Sequence, residues 1–295
     1  MTVSIRQIHP FFVGEVEGAD LRRPLSEGEA AAIDAGINEY AVAIFHGQDI
    51  TDEQQLTFSG NFGTIELPGS ATNITKADER RIRADMADVS NLDRDQRPFA
   101  RDDRRRMFNL GNRLWHSDSS FRAVPAKYSL LSGRIVPAKG GNTEFADMRS
   151  AYDALDAATK AEIEDLVCEH SLLYSRGLLG FTELTEAEKA NFKPVRQRLV
   201  RTHPVTGRKS LFLSSHAGAI VGWPMPEARA FLRDLMEHAT QREFVHVHVW
   251  RQHDLVIWDN RQTMHRVRRF DDVREIRDMR RTTIKGEAMT AEQAA

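Results

Sequence analysis

The chain has 295 residues, 41% hydrophobic and 28% charged, with a formal net charge of −2. That supplies material for a sizeable core and gives no global pull toward nucleic acid or an anionic membrane. Cys168 is the single cysteine, which excludes an intrachain disulfide or a thiolate cluster, and no apolar run approaches the roughly 18 residues of a membrane helix. Met1-Thr2-Val3-Ser4-Ile5-Arg6 lacks a basic segment ahead of an apolar run. No signal peptide is therefore expected, and the expected location is cytoplasmic.

Leu25-Ser26-Glu27-Gly28-Glu29 predicts a helix start: Ser26 caps, Glu29 completes a capping box and Leu25 acts as the staple. The helix runs to about Tyr40, and Ala41-Val42-Ala43-Ile44-Phe45 follows as a buried strand stopped by Gly47. Thr51-Asp52-Glu53-Gln54 is a second capping box, opening a short helix that ends near Gly60 or Gly63. Residues 68–106 differ in kind, being poor in large apolar side chains and dense in charges of both signs, through Arg104-Arg105-Arg106. Two readings of this segment stand: a solvated insertion, or a lid over a site. A nucleic-acid patch fits poorly, because acids nearly balance bases and stacking aromatics are lacking.

Strands become frequent from Tyr128. Residues 128–136 and 142–146 are candidates, turning at Gly140-Gly141, and residues 151–169 have a helical pattern. Further strands are expected over 170–174, 198–202 and 210–214, with Pro204-Val205-Thr206-Gly207 as a turn. Residues 225–240 form an amphipathic helix with Pro226 in its first turn. Residues 244–250 alternate, with Val245, Val247 and Val249 on one face and His246 and His248 on the other, as a half-solvated strand does. Strands at 255–258 and 281–284 complete an α+β or β-sandwich pattern decorated by helices.

The chemistry-bearing pattern is Trp115-His116-Ser117-Asp118. In an extended segment, positions i and i+2 point to one side, so His116 and Asp118 can both reach one ion. A third ligand must then come from elsewhere in the fold. Zinc would use the same residue types, but no cysteine pair or H-E-x-x-H helix supports a hydrolytic site. Oxygen and nitrogen ligands with open positions suit Fe(II) better.

Around this pattern the chain resembles the Fe(II)/2-oxoglutarate dioxygenases of the taurine dioxygenase and 2,4-dichlorophenoxyacetate dioxygenase family. The likeness runs through Val13-Gly14-Glu15-Val16-Glu17-Gly18-Ala19-Asp20-Leu21, Ile44-Phe45-His46-Gly47-Gln48, the His116-x-Asp118 segment and Gly140-Gly141-Asn142-Thr143. It continues through Trp258-Asp259-Asn260 with His265 and Arg281-Thr282-Thr283-Ile284. Within the family the chain is most similar to aryloxyalkanoate dioxygenases, through residues 141–149, 170–175 and 203–208. The resemblance implies a double-stranded β-helix, the cupin-like jelly roll, with helices outside, and a single catalytic domain over 1–295.

It also implies roles. His116, Asp118 and His265 hold Fe(II), leaving room for 2-oxoglutarate and O2. Arg277 takes the distal carboxylate of 2-oxoglutarate, aided by the Thr143 hydroxyl, with Trp258 beside the co-substrate. Arg281 falls where relatives hold the acidic group of the substrate, and His216 and Asn112 lie in substrate-approaching regions. Met107 and Phe108 are expected to wall an aromatic pocket, and Asp259 to turn the chain toward His265. The expected reaction hydroxylates an aryloxyacetate such as 2,4-dichlorophenoxyacetate next to its ether oxygen, giving a phenol and glyoxylate with succinate and CO2. Taurine or another small sulfonate or carboxylate is the alternative substrate, and a non-catalytic cupin-like binding protein the alternative class. A homo-oligomer is expected by analogy with relatives, with no nucleic-acid or membrane partner.

Overall fold

The computed structural model describes residues 2–69 and 73–294. Of the 68–106 segment, residues 70–72 thus lie outside the described residues. The helix Glu27–Tyr40 begins as its sequence predicts, with the Ser26 hydroxyl accepting from Glu29 N at 3.3 Å and the Glu29 carboxylate accepting from Ser26 N at 2.8 Å. The helix Asp52–Gly60 repeats the device with Thr51 and Gln54. Both helices pack on one face of a seven-stranded sheet. Its strands, in spatial order, are Ser4–Gln7, Gly14–Glu17, Val42–Phe45, Leu255–Asp259, Tyr128–Ile135, Asp278–Thr283 and Ala87–Asp88.

The strand Leu255–Asp259 shows why this sheet is apolar on both faces. Leu255 and Ile257 join Ile33, Ile37 and Phe58 on the helix side. Val256 and Trp258 join Leu131, Met279 and Phe145 on the other. Phe145 belongs to a three-stranded sheet of Val245–His248, Thr143–Asp147 and Thr263–Val267, so the second cluster is the layer between two sheets packed face to face. This is the expected α+β jelly roll. A smaller sheet of Ala217–Ile220, Val167–His170 and Val195–Arg198, with the helix Met225–Ala239, packs on its flank.

Several expectations need correction. Residues 151–169 are not helical throughout: after two helices, Met148–Asp153 and Ala157–Ile163, the end of the stretch is the strand Val167–His170. The strand expected over 170–174 is instead the helix Leu172–Gly177, started by the Ser171 hydroxyl, which accepts from Leu173 N at 3.0 Å. In Val245–His248 it is the histidine face that turns inward. Val247 and Val249 are exposed, whereas buried His248 sits with its Nε2 3.2 Å from the Asp254 carboxylate. Strands Ser4–Gln7, Gly14–Glu17, Ala217–Ile220 and Thr263–Val267 and the helix Glu186–Asn191 were not expected. Among the described residues, no helix is long and apolar enough to cross a membrane.

Candidate metal centre and substrate cavity

The mouth of the jelly roll is built by the strand Thr263–Val267. His265 stands opposite Phe145 of the neighbouring strand, so His265, Val267 and Thr143 share one face and all three line a cavity. The extended segment at His116 then pairs with His265 as an isolated antiparallel bridge, through His116 N to His265 O at 3.0 Å and His265 N to His116 O at 2.8 Å. That bridge places the two imidazoles with ring centroids 4.2 Å apart. Asp118, two residues on, brings its carboxylate to 4.0 Å from His116 Nε2 and 3.8 Å from His265 Nε2. One ligand atom from each residue lies within 4.8 Å of the others, and all three residues are buried.

This donor set fits a metal ion. His116 Nδ1 lies 2.8 Å from the Leu114 carbonyl, which can only accept, so Nδ1 carries the proton and Nε2 keeps its lone pair. Burial holds both His116 and His265 below the ordinary imidazole value, which favours the neutral, ligating form. Burial alone would raise Asp118, but Arg281, His265, His116 and the Ser129 hydroxyl outweigh it and hold the carboxyl at about 2. Arg281 Nη1 lies 2.6 Å from Asp118 Oδ1, and the Ser129 hydroxyl donates to Oδ2 at 2.7 Å. Asn260 ties the ligand loop down: its side-chain oxygen accepts from Asp118 N at 3.1 Å and Trp258 Nε1 at 3.0 Å, and its Nδ2 donates to Ser129 at 3.0 Å. Ser129 and Asn260 were missed by sequence reasoning because their partners are far away in the chain.

The cavity gathers every residue expected for co-substrate or substrate: Thr143, Trp258, Arg277, Arg281, His216 and Asn112 all line it. Arg277 is 5% exposed; its guanidinium donates one long bond, 3.4 Å to the Val89 carbonyl, and leaves Nε without a partner. Burial lowers its guanidinium to about 10. A buried cation with no carboxylate partner awaits an anion. The Thr143 hydroxyl is fixed by Trp250, whose Nε1 donates to it at 2.9 Å. Trp258 packs against His265 with centroids 4.6 Å apart. His216 Nδ1 bonds the Ser175 hydroxyl at 2.8 Å, and its ring meets Phe121 edge-on at 5.0 Å. Asn112 accepts from Arg176 at 3.3 Å. Phe108 lines the cavity as expected, but Met107 is not among the lining residues and is 39% exposed, because it points off the helix Arg104–Asn109 to solvent. Asp259 is structural, as expected: it accepts from Arg261 at 2.7 Å and pairs with His203 at 3.1 Å. Ala87, Asp88, Val89, Ser90, Asn91, Phe99 and Arg106 of the charged segment form part of the wall.

Two imidazoles and a carboxylate that leave one side of an ion open, facing a cavity with its own buried cation, define the class of 2-oxoglutarate-dependent dioxygenases. The chain belongs to the taurine catabolism dioxygenase TauD, TfdA family, whose model matches residues 4–283. It is 44% identical to the alpha-ketoglutarate-dependent 2,4-dichlorophenoxyacetate dioxygenase of Cupriavidus pinatubonensis over 98% of this chain and 100% of that one. It is 38% identical to the (S)-phenoxypropionate/alpha-ketoglutarate-dioxygenase of Delftia acidovorans over 84% of this chain and 83% of that one. A crystal structure of AAD-2 in complex with Mn(II) and N-oxalylglycine matches with a TM-score of 0.96 and 62% identity, over 99% of this chain and 100% of that one.

Proposed function

We propose that this enzyme hydroxylates an aryloxyalkanoate, of which 2,4-dichlorophenoxyacetate is the type, at the carbon beside the ether oxygen. The observation that carries the reading is the make-up of the cavity. Phe99, Phe108, Phe121 and Leu172 offer apolar surface to an aromatic ring, while Arg176, Arg277 and Arg281 offer cations to acids. The two relatives named for phenoxyalkanoate substrates support the same class.

His116, Asp118 and His265 would hold Fe(II), which, with 2-oxoglutarate and O2 bound, supplies oxidative decarboxylation coupled to hydroxylation of a C–H bond. Arg277 and Thr143 take the distal carboxylate of 2-oxoglutarate, with Trp258 as the wall beside it. His216 and Asn112 form the substrate side of the cavity, and Arg281 the side next to Asp118. The hydroxylated product is a hemiacetal; its C–O bond breaks as the new hydroxyl loses its proton to the leaving oxygen, giving a phenol and glyoxylate. The charged segment, whose residues 87–91, Phe99 and Arg106 stand in the cavity wall, is read as a covering element of a single catalytic domain. The same reading expects a cytoplasmic homo-oligomer, for which exposed Val247 on the edge strand Val245–His248 and Val249 just after it supply apolar surface.

A substrate panel with Fe(II), ascorbate and 2-oxoglutarate tests the class. Phenoxyacetates and phenoxypropionates should exceed taurine in kcat/KM by at least about a hundredfold, the scale on which an unpaired buried polar group or an unfilled apolar wall penalises the wrong substrate. Preference for taurine would replace the reading with a sulfonate dioxygenase.

A further inference from the structure

Most buried guanidinium groups in this protein come with carboxylates; outside the cavity Arg201, which lies over the Phe212 ring with Nη1 unpartnered, is an exception. Arg149 lies 2.8 Å from Asp147, Arg261 2.7 Å from Asp259 and Arg81 2.7 Å from Asp278. The pattern extends into the cavity, where Arg106 and Arg113 share Asp272 at 3.1 and 3.2 Å and Arg281 holds Asp118. Two cavity arginines break it, Arg277 and Arg176. A buried charge without a counter-charge is destabilising, so a site that keeps two of them open is built for two anions. The reaction class brings two: the distal carboxylate of 2-oxoglutarate and the carboxylate of the organic-acid substrate. The first belongs with Arg277 beside Thr143.

Arg176 is 5% exposed, and its bonds go to neutral oxygens at long range, Ser175 Oγ at 3.3 Å and Asn112 Oδ1 at 3.3 Å. Its Nε is buried without a partner. The guanidinium lies 4.4 Å from the centroid of the Phe108 ring and directly on Gly111, where a Cβ would stand 2.4 Å from its central carbon. The slot therefore exists because position 111 has no side chain. Ser175 Oγ also bonds His216, whose ring is 6.0 Å from that of His116, so Arg176 stands on the His216 side of the metal ligands. Arg281 stands on the Asp118 side.

We propose that Arg176, with Asn112, receives the carboxylate of the aryloxyalkanoate, the part that resemblance gave to Arg281, while Arg281 neutralises the metal ligand Asp118. The inference rests on the aryloxyalkanoate reading and adds a specificity-determining residue to it. A planar fork held between Phe108 and Gly111 is suited to bidentate grip on a carboxylate and fixes which carbon faces the metal side.

The test is calorimetric binding to protein loaded with Mn(II) and N-oxalylglycine. The ligands are 2,4-dichlorophenoxyacetate and its neutral amide. Arg176→Met should weaken the acid by roughly 30-fold or more, as loss of one partner of a buried charge pair does, while the amide changes less than about threefold. N-oxalylglycine affinity should also stay within about threefold of wild type. Gly111→Ala keeps the arginine but crowds it from its slot, and should selectively weaken the acid in the same way. Acid binding retained in both variants overturns the proposal, and equal loss of acid and amide overturns it in favour of a packing role. Failure of the wild-type protein to bind the acid refutes the substrate reading itself.

Discussion

Asp118 is the residue on which the site turns. Its carboxylate faces two imidazoles, accepts from Ser129 and is neutralised by Arg281. Ser129 is held in turn by Asn260, so a hydroxyl on a core strand orients a ligand 11 residues away in the chain. Groups that orient a metal ligand commonly contribute 10–100-fold to metal affinity or activity. Ser129→Ala should therefore lower Mn(II) affinity, read by electron paramagnetic resonance, by about tenfold or more, and Thr159→Ser, on the outer helix Ala157–Ile163, should not. Unchanged affinity in Ser129→Ala would mean that Arg281 alone orients the carboxylate. His116 and Asp118 were legible in the sequence because strand periodicity puts i and i+2 on one side. Arg277 and Arg281 were legible through resemblance, and an even separation agrees with their shared cavity. The Asn260–Ser129 and Arg176–Asn112 pairings were not, since they span 131 and 64 residues and no local pattern encodes them.

At the scale of elements, the capping boxes at Ser26 and Thr51 made two helices legible to within a residue, because the signal is local, whereas the box at Thr185 went unread. Ser26→Ala removes the acceptor for Glu29 N and should lower stability by about 1 kcal/mol in urea unfolding, with kcat unchanged. A shift in kcat would show that the Glu27–Tyr40 helix is coupled to the site. Short apolar runs misled: Leu172-Leu173-Tyr174 suits strand or helix equally, and only the Ser171 cap decides it. The strand Thr263–Val267 escaped for a different reason. Its inward face carries His265 in place of an apolar residue, so function erased the alternation that marks a strand. In Val245–His248 the alternation left the inward face undecided, and the histidine side takes it, with His248 beside the Asp254 carboxylate and edge-on to Trp250.

At the scale of the whole molecule, burial of histidines couples stability to pH. His170 is fully buried, stacks on Phe212 and has no partner for either ring nitrogen. Burial lowers it from 6.5 to about 3. The unfolded chain then takes up a proton that the folded chain refuses, so stability declines as pH falls from about 6.5 toward about 3. His170→Phe should flatten that decline in thermal unfolding between those limits. An unaltered slope would place the acid sensitivity in the other buried histidines. The strand and helix pattern along the chain made an α+β or β-sandwich architecture legible, and the resemblance made it a jelly roll. The flanking sheet was not, since its strands pair only after the helix Leu172–Gly177 intervenes.

The metal-ligand set, the buried Arg277 and an aromatic, cationic wall share one cavity, as one coupled reaction requires. The most direct test is the stoichiometry of products from 2,4-dichlorophenoxyacetate with Fe(II), 2-oxoglutarate and O2, following succinate, glyoxylate and 2,4-dichlorophenol together. The account expects the three to appear in equal amounts and at equal rates. Succinate formed without phenol, or phenol formed without consumption of 2-oxoglutarate, would contradict it.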